Sequence, residues 1–342
     1  MDTTWHIFEG EGIPHDDILD RLPPPPHWRH FHNKAIIERT IPEEDSLSRR
    51  LGPDIHQRSH PHTSFLLDPH VIQMVNAALY LRRPLMVSGP PGTGKSTLAY
   101  AIAHELMLGK VLKWSITSRT LMQDALYRYD AIGRLQEANL NRDRNITEPP
   151  EIGRYIRLGP LGTALLPSRK PRVLLIDEID KSDIDLPNDL LNIFEDGEFE
   201  IPELARLPDE QHTIHVFPHD GEDRILIVRG KVACHAFPII VITNNDEREM
   251  PAPFLRRCLR VQMDLLSRDK LVQIINSHYG PRDSEEDQYR QRLIAQVLEK
   301  QKNGRHVATD QLLNAIYMVA SMDKESDLHE LNPVTNAILQ EL

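Results

Sequence analysis

Hydrophobic and polar positions divide the chain into three stretches of different rhythm. Residues 1–65 hold no long apolar period. From 66 to 265, short apolar runs alternate with amphipathic segments, the rhythm of strands interleaved with helices. From 266 to 342 the period is helical throughout. In the middle stretch, Asp68 followed by Pro69 opens a helix. Val71, Ile72, Val75, Ala78 and Leu79 lie on one face of it, and Arg82, Arg83 and Pro84 end it. Leu85, Met86 and Val87 form a strand, and residues 98–106 form a helix closed by Gly109. Residues 111–116 read as a second strand, 117–139 as a loop and then a helix, and 140–153 as a polar loop. A short turn and helix follow at 158–166.

The unbroken run Val173, Leu174, Leu175, Ile176 predicts a strand buried on both faces, as in a parallel sheet. A helix over 185–201 carries Leu186, Leu190, Leu191 and Phe194 and stops at Gly197. Alternating runs at 212–217 and 224–230, split by His219, Asp220 and Gly221, predict a β-hairpin. Residues 238–245 are another buried strand and 259–266 the last one. Helices are expected over 267–278, 287–302, 309–321 and 333–341.

Composition adds little to this picture. The 342 residues are 40% hydrophobic and 27% charged, ordinary for a soluble protein with one large or two modest cores. No apolar run approaches the ~18 residues of a membrane span, and the first residues lack a signal-peptide pattern. Two cysteines, Cys234 and Cys258, fit a reducing cytosol, so a cytoplasmic location is expected. A net charge of −11 argues against a chain that grips nucleic acid by overall electrostatics. The leading 65 residues differ from the rest. Pro23 to Pro26 favour extended backbone, beside His27, Trp28, His30, Phe31 and His32. This arm can pack on its own core through Trp5, Ile7, Phe8, Trp28 and Phe31, or dock on a neighbouring subunit or another protein. Its many histidines, His56 and His60 among them, form no interlocked ligand set.

The chemistry lies between strands and helices. Gly89, Pro90, Pro91, Gly92, Thr93, Gly94, Lys95, Ser96 and Thr97 satisfy the phosphate-cradling pattern GxxxxGK[ST], with a strand before it and a helix after it. Glycines let successive N–H groups point at phosphate oxygens, and the helix N-terminus adds unpaired donors. Lys95 would reach the β/γ-phosphates and Ser96 would ligate Mg²⁺. The strand at 173–176 ends on Asp177 and Glu178. There Asp177 can hold Mg²⁺ and Glu178 can orient or deprotonate a water. Asn245, at the end of the 238–245 strand, faces the ligand crevice; Asn244 is its weaker neighbour.

The order of glycine loop, acid pair, hairpin, Thr-Asn-Asn strand, Arg256-Arg257 and helical tail resembles the AAA+ ATPases. The helix before the loop, the segment 195–201 and the hairpin are most similar to the MoxR group within them. The resemblance spans about residues 65–325. It implies a P-loop NTPase fold: a three-layer α/β/α core with a parallel sheet, then a small α-helical lid domain. It also implies ATP with Mg²⁺, a sensor role for Asn245, and an arginine finger at Arg257, with Arg256 as alternate. A guanidinium that must reach a neighbour's phosphates makes an oligomer part of the mechanism, in this family usually a hexameric ring. The expected function is ATP hydrolysis that remodels or activates a partner protein, such as a von Willebrand A-type protein or a conflict-system effector. The alternatives are a nucleotide-gated scaffold with little turnover and a DNA-engaging motor. Where MoxR-like lids open a helix with a sensor arginine, this chain has Thr309 and Asp310, with Arg305 a few residues early.

Overall fold

A computed structural model describes residues 5–31, 36–51, 67–146, 148–208, 211–279, 285–303, 307–320, 334–335 and 337–339. The elements, in chain order, begin with α1 (Ile18–Arg21), α2 (Leu47–Leu51), α3 (Pro69–Leu81), β1 (Leu85–Ser88), α4 (Lys95–Glu105) and β2 (Leu112–Ser115). Next come α5 (Met122–Leu126), β3 (Tyr127–Tyr129), α6 (Ala131–Asp143), β4 (Ile156–Leu158), α7 (Pro160–Ala164) and β5 (Val173–Asp177). Then follow α8 (Leu186–Asp196), β6 (Glu198–Glu200), α9 (Pro202–Ala205), β7 (Thr213–Val216), β8 (Ile225–Val228) and β9 (Lys231–Ala233). The chain continues through β10 (Ile239–Asn244), α10 (Ala252–Arg257), β11 (Leu259–Gln262), α11 (Arg268–Tyr279), α12 (Glu285–Lys302) and α13 (Thr309–Ala320).

The central sheet has five strands in the order β11-β1-β10-β5-β2, every pair parallel. Its apolar runs are sorted by the two-residue period of a strand. Val173 and Leu175 of β5, with Ile239 and Val241 of β10, pack under α3 and α4. Leu174, Ile176, Ile240 and Ile242 face the opposite core with α7, α8 and α10. Helices therefore cover both faces, which gives the α/β/α layering expected of a P-loop core. A separate apolar cluster is built from the last helices, with Leu271, Ile275, Leu293, Val297, Leu312 and Ile316 at its centre.

Several elements depart from the sequence expectation. The segment 117–139 is not one loop and helix: α5 ends where β3 begins, and α6 starts only at Ala131. β3 pairs antiparallel with β4, so a strand-helix-strand unit stands between α5 and α7. No residue of α6 is buried. The expected hairpin is present as β7 and β8, but it belongs to a four-stranded sheet, β6-β9-β8-β7. β6 and β9 were not anticipated because three-residue strands rich in charge show no hydrophobic alternation. They pair edge to edge, with Lys231 bridging to Glu198 at 2.8 Å.

The arm follows the core across the protein. Ile7 and Phe8 are fully buried, and Phe31 stacks on Phe237 with ring centroids 4.9 Å apart. Asn76 of α3 accepts from the N–H groups of Ile7 and Phe8 at 2.6 and 3.0 Å. Glu105 of α4 accepts from the N–H groups of Glu9, Gly10 and Gly12. Trp28, expected as an anchor, is 72% exposed instead, because on its 3₁₀ turn the buried residue is Arg29, which donates to the carbonyls of Arg82 and Phe194. His56 and His60, Arg305, and residues 333, 336, 340 and 341 of the expected helix at 333–341 lie outside the described residues. Among the described residues, no helix is long and apolar enough to cross a membrane.

Candidate functional site

The glycine loop runs from the C-terminal end of β1 into the first turn of α4, with Gly94 as the helix N-cap. Gly92 and Gly94 have φ of 77° and 91°, the left-handed region that glycine enters without steric cost. Lys95, the first helical residue, is buried, and its ammonium donates to the carbonyls of Gly89 and Pro90 at 2.6 and 2.8 Å. Burial pulls its pKa below the usual lysine value, while Asp180, Asp246, Asp177 and Glu178 pull the other way. An anionic ligand in the loop would supply the missing counter-charge.

β5 lies one strand beyond β10, so its C-terminal end opens beside the loop. Ser96 donates its hydroxyl to Asp177 Oδ1 at 2.6 Å, bringing together the two residues expected to hold Mg²⁺. Lys113 of β2 pairs with the other oxygen, Oδ2, at 2.7 Å. Burial by itself would raise the Asp177 carboxyl. Hydrogen bonds from Lys113, Ser96 and Thr243 outweigh it and hold the carboxyl below its ordinary value. Glu178 has left-handed backbone, φ 64° and ψ 55°, which turns it away from its buried predecessor. Its carboxylate pairs with Lys181 at 2.8 Å.

Asn245 follows directly on β10 and lines the same cavity. Its N–H donates to Asp180 Oδ2 at 2.9 Å. Asn244 is instead buried, its amide donating to Ser88 Oγ and Asp246 Oδ1. The cavity has a volume of about 1020 Å³ and runs from the glycine loop past Asp177, Glu178 and Asn245 to Met263 and Asp264, then to α11 and α13. That is room for a nucleotide. Arg257 is not among its lining residues; at the end of α10 it donates to Glu195 at 3.1 Å and stays partly exposed. Arg256 is exposed, and its carbonyl accepts from Arg83.

A family profile described as AAA domain (dynein-related subfamily) matches residues 84–258, half of the chain and the part that carries the loop, the acids and both arginines. The chain belongs to this AAA domain family. Among curated proteins, it is similar to the chaperone protein ClpB of Chlamydia trachomatis, 36% identical over 120 residues, 34% of this chain and 12% of that protein. It is also similar to chaperone protein ClpB 1 of Nostoc sp., 28% identical over 185 residues, 50% of this chain and 19% of that protein. The chain therefore spans only a small part of the length of the curated relatives it matches. Its AAA domain is a P-loop ATPase domain.

The residues present fit a metal-nucleotide. Among the described residues a buried lysine has only loop carbonyls as hydrogen-bond partners, a hydroxyl and a carboxylate stand within one hydrogen bond of each other, and the cavity is lined by all three. Three residues around these groups carry no signal of that role in the sequence. Thr243 bonds both acids of the AAA domain, Asp180 holds the N–H of Asn245, and Lys113 holds Asp177. Thr309, near the position where the resemblance implies a lid arginine, donates to the Gly92 carbonyl at 2.6 Å. The first turn of α13 thus closes on the glycine loop with a neutral hydroxyl, Ala308 lying against Gly92.

Proposed function

We propose that this chain is a MoxR-like AAA+ ATPase that hydrolyses ATP at subunit interfaces of an oligomeric ring, and so remodels or activates a partner protein. The observation that carries the proposal is the convergence of Lys95, Ser96, Asp177, Glu178 and Asn245 on one cavity while Arg257 stands outside it. In this reading Lys95 and the loop N–H groups from Gly89 to Thr97 bind and orient the triphosphate. Ser96 and Asp177 would hold Mg²⁺, which would supply positive charge against the phosphates. Glu178 takes a proton from the attacking water, and Asn245 orients that water. Arg257 completes the site of the next subunit, where a guanidinium stabilises charge on the transferring group.

The MoxR-like assignment is supported by the strand-helix-strand unit β3-α6-β4 before β5 and by the antiparallel β6-to-β9 sheet between β5 and β10. Ile132, Leu135 and Leu140 on α6 are more than half exposed and offer a contact surface that nucleotide-driven motion can press on a partner. One observation favours a slower, switch-like turnover: Glu178 is engaged by Lys181 and must be released before it can act as a base.

The test is steady-state ATP hydrolysis at increasing protein concentration. Specific activity should rise as the ring assembles. Glu178→Gln should lower kcat by about 10²- to 10⁴-fold, and Arg257→Ala by about 10³-fold, with nucleotide binding retained. Full activity in a dilute monomer would refute the shared site.

A further inference from the structure

We infer that Thr243 is a positioning residue, the single hydroxyl that locks both acids of the site and links them to the strand bearing Asn245. The inference rests on the reading of Asp177 and Glu178 as the metal-holding and water-activating acids. Thr243 lies on β10, is 1% exposed, and stands at the end of β5, where it lines the same cavity as the two acids. Its Oγ1 donates to Asp177 Oδ1 at 2.9 Å and accepts from the Glu178 N–H at 2.7 Å. A hydroxyl has one proton and two lone pairs, so the two bonds are made together without competition. Among residues of this size only serine can do the same.

Both acids need that help. Glu178 holds left-handed backbone, a conformation disfavoured for a residue with a side chain and maintained only where surroundings over-determine it. The bond from its N–H to Thr243 is such a constraint, and it keeps the Glu178 carboxylate turned to the cavity while Asp177 stays buried. On Asp177, Oδ1 is shared by Ser96 and Thr243 and Oδ2 is held by Lys113, so the carboxylate cannot rotate without breaking one of these bonds. Valine would keep the shape of Thr243 and delete both bonds, leaving the Glu178 N–H without a partner. Thr243 is thus to the metal-holding carboxylate what an outer-shell partner is to a metal ligand, where loss typically weakens metal affinity or activity by about 10- to 100-fold.

The experiment compares the full-length wild type with Thr243→Val and Thr243→Ser. It measures binding of a fluorescent ADP analogue with and without Mg²⁺, kcat and KM for ATP, and the thermal midpoint. Thr243→Val should bind the analogue normally without Mg²⁺. It should need about tenfold more Mg²⁺ for the same enhancement of binding, and should lose kcat by about tenfold or more at nearly unchanged KM. Thr243→Ser should recover both. Should the valine variant not fold, Thr243→Ala is read by the same Mg²⁺ titration. A valine variant that matches a Mg²⁺-responsive wild type overturns this inference alone, as does a serine variant as impaired as valine. A wild type whose nucleotide binding ignores Mg²⁺ overturns the reading of the two acids and this inference with it.

Discussion

The arm is the part of the chain whose role the sequence left most open, and Glu105 provides the sharpest test of where it belongs. Glu105 is 1% exposed and accepts three backbone N–H bonds, from Glu9, Gly10 and Gly12, at 2.5, 3.0 and 2.8 Å. Replacing it with alanine would leave three partly buried donors unpaired, at up to about 1–3 kcal/mol each. The arm need not bear that cost, since it can peel into water. It then loses the burial of Ile7 and Phe8, about 1.5–3 kcal/mol apiece, and the bonds to Asn76. The observable cost of Glu105→Ala is therefore capped near the free energy of docking, about 3–6 kcal/mol, and the arm rather than the core should open. Glu105→Gln should be milder. Burial raises the carboxyl pKa against the three N–H bonds, so the ionised group is held at a desolvation cost that a neutral amide escapes. The amide oxygen can keep Glu9 and Gly10, which share Oε1, but its NH₂ would then face the Gly12 N–H. A loss of about 1–2 kcal/mol is expected. Hydrogen exchange over residues 5–12 measures this directly: protection should fall strongly in the alanine variant and partly in the glutamine variant, with the central sheet unchanged. Unaltered protection at 5–12 in Glu105→Ala would refute the idea that the arm is held by its own core.

Three further outcomes follow from groups already described or close to them. A Cβ on Gly92 would lie 2.5 Å from Ala308 Cα, on backbone with φ of 77°, so Gly92→Ala should push α13 off the glycine loop and weaken binding of a labelled nucleotide by tenfold or more, seen by titration. Asp220 is buried between Arg172, whose side chain is 2% exposed, and Arg39 of the arm, at 2.8 Å from each, so Asp220→Asn should cost about 3–5 kcal/mol in denaturant unfolding by leaving the buried Arg172 charge without its carboxylate. Burial would raise the Asp220 carboxyl, but Arg39 and Arg172 hold it below the usual range. Its contribution is therefore complete above the unfolded value of about 3.9 and is lost as pH falls through the lower folded value. The wild type should lose this increment on acidification below about pH 4, and Asp220→Asn should not.

What was legible in the chain was what one short segment encodes by itself. The glycine loop needs φ values that only its own residues supply, and its flanking strand and helix announce themselves by period. The runs at 173–176 and 238–245 read as doubly buried strands, and they proved to alternate between two cores residue by residue. The helix at Asp68 was legible because its cap and Pro69 are local chemistry, and Asp68 indeed accepts from the His70 N–H at 2.9 Å. The strands β3, β4, β6 and β9 were not, because three-residue strands acquire their partners from tertiary pairing and carry too few residues to show a period.

The same division runs through the site. Asp177 and Glu178 are adjacent in sequence and could be found together, yet the hydroxyl that holds them belongs to Thr243, some 65 residues on. What joins them is register: Ile242 stands opposite Ile176, so the next residue on β10 meets the two acids that end β5. The same alignment brings Asp180 to the N–H of Asn245, and a strand further out Ser115 stands opposite Asp177 while Lys113 reaches back to its carboxylate. No linear spacing encodes these contacts, since any length of chain between β5 and β10 would give them once the strands were paired parallel and in step. The shape of the glycine loop is therefore set by its own sequence, whereas the orientation of the acids is set by the sheet. A substitution that slipped β10 by one residue would leave every motif intact in the sequence and dismantle the site.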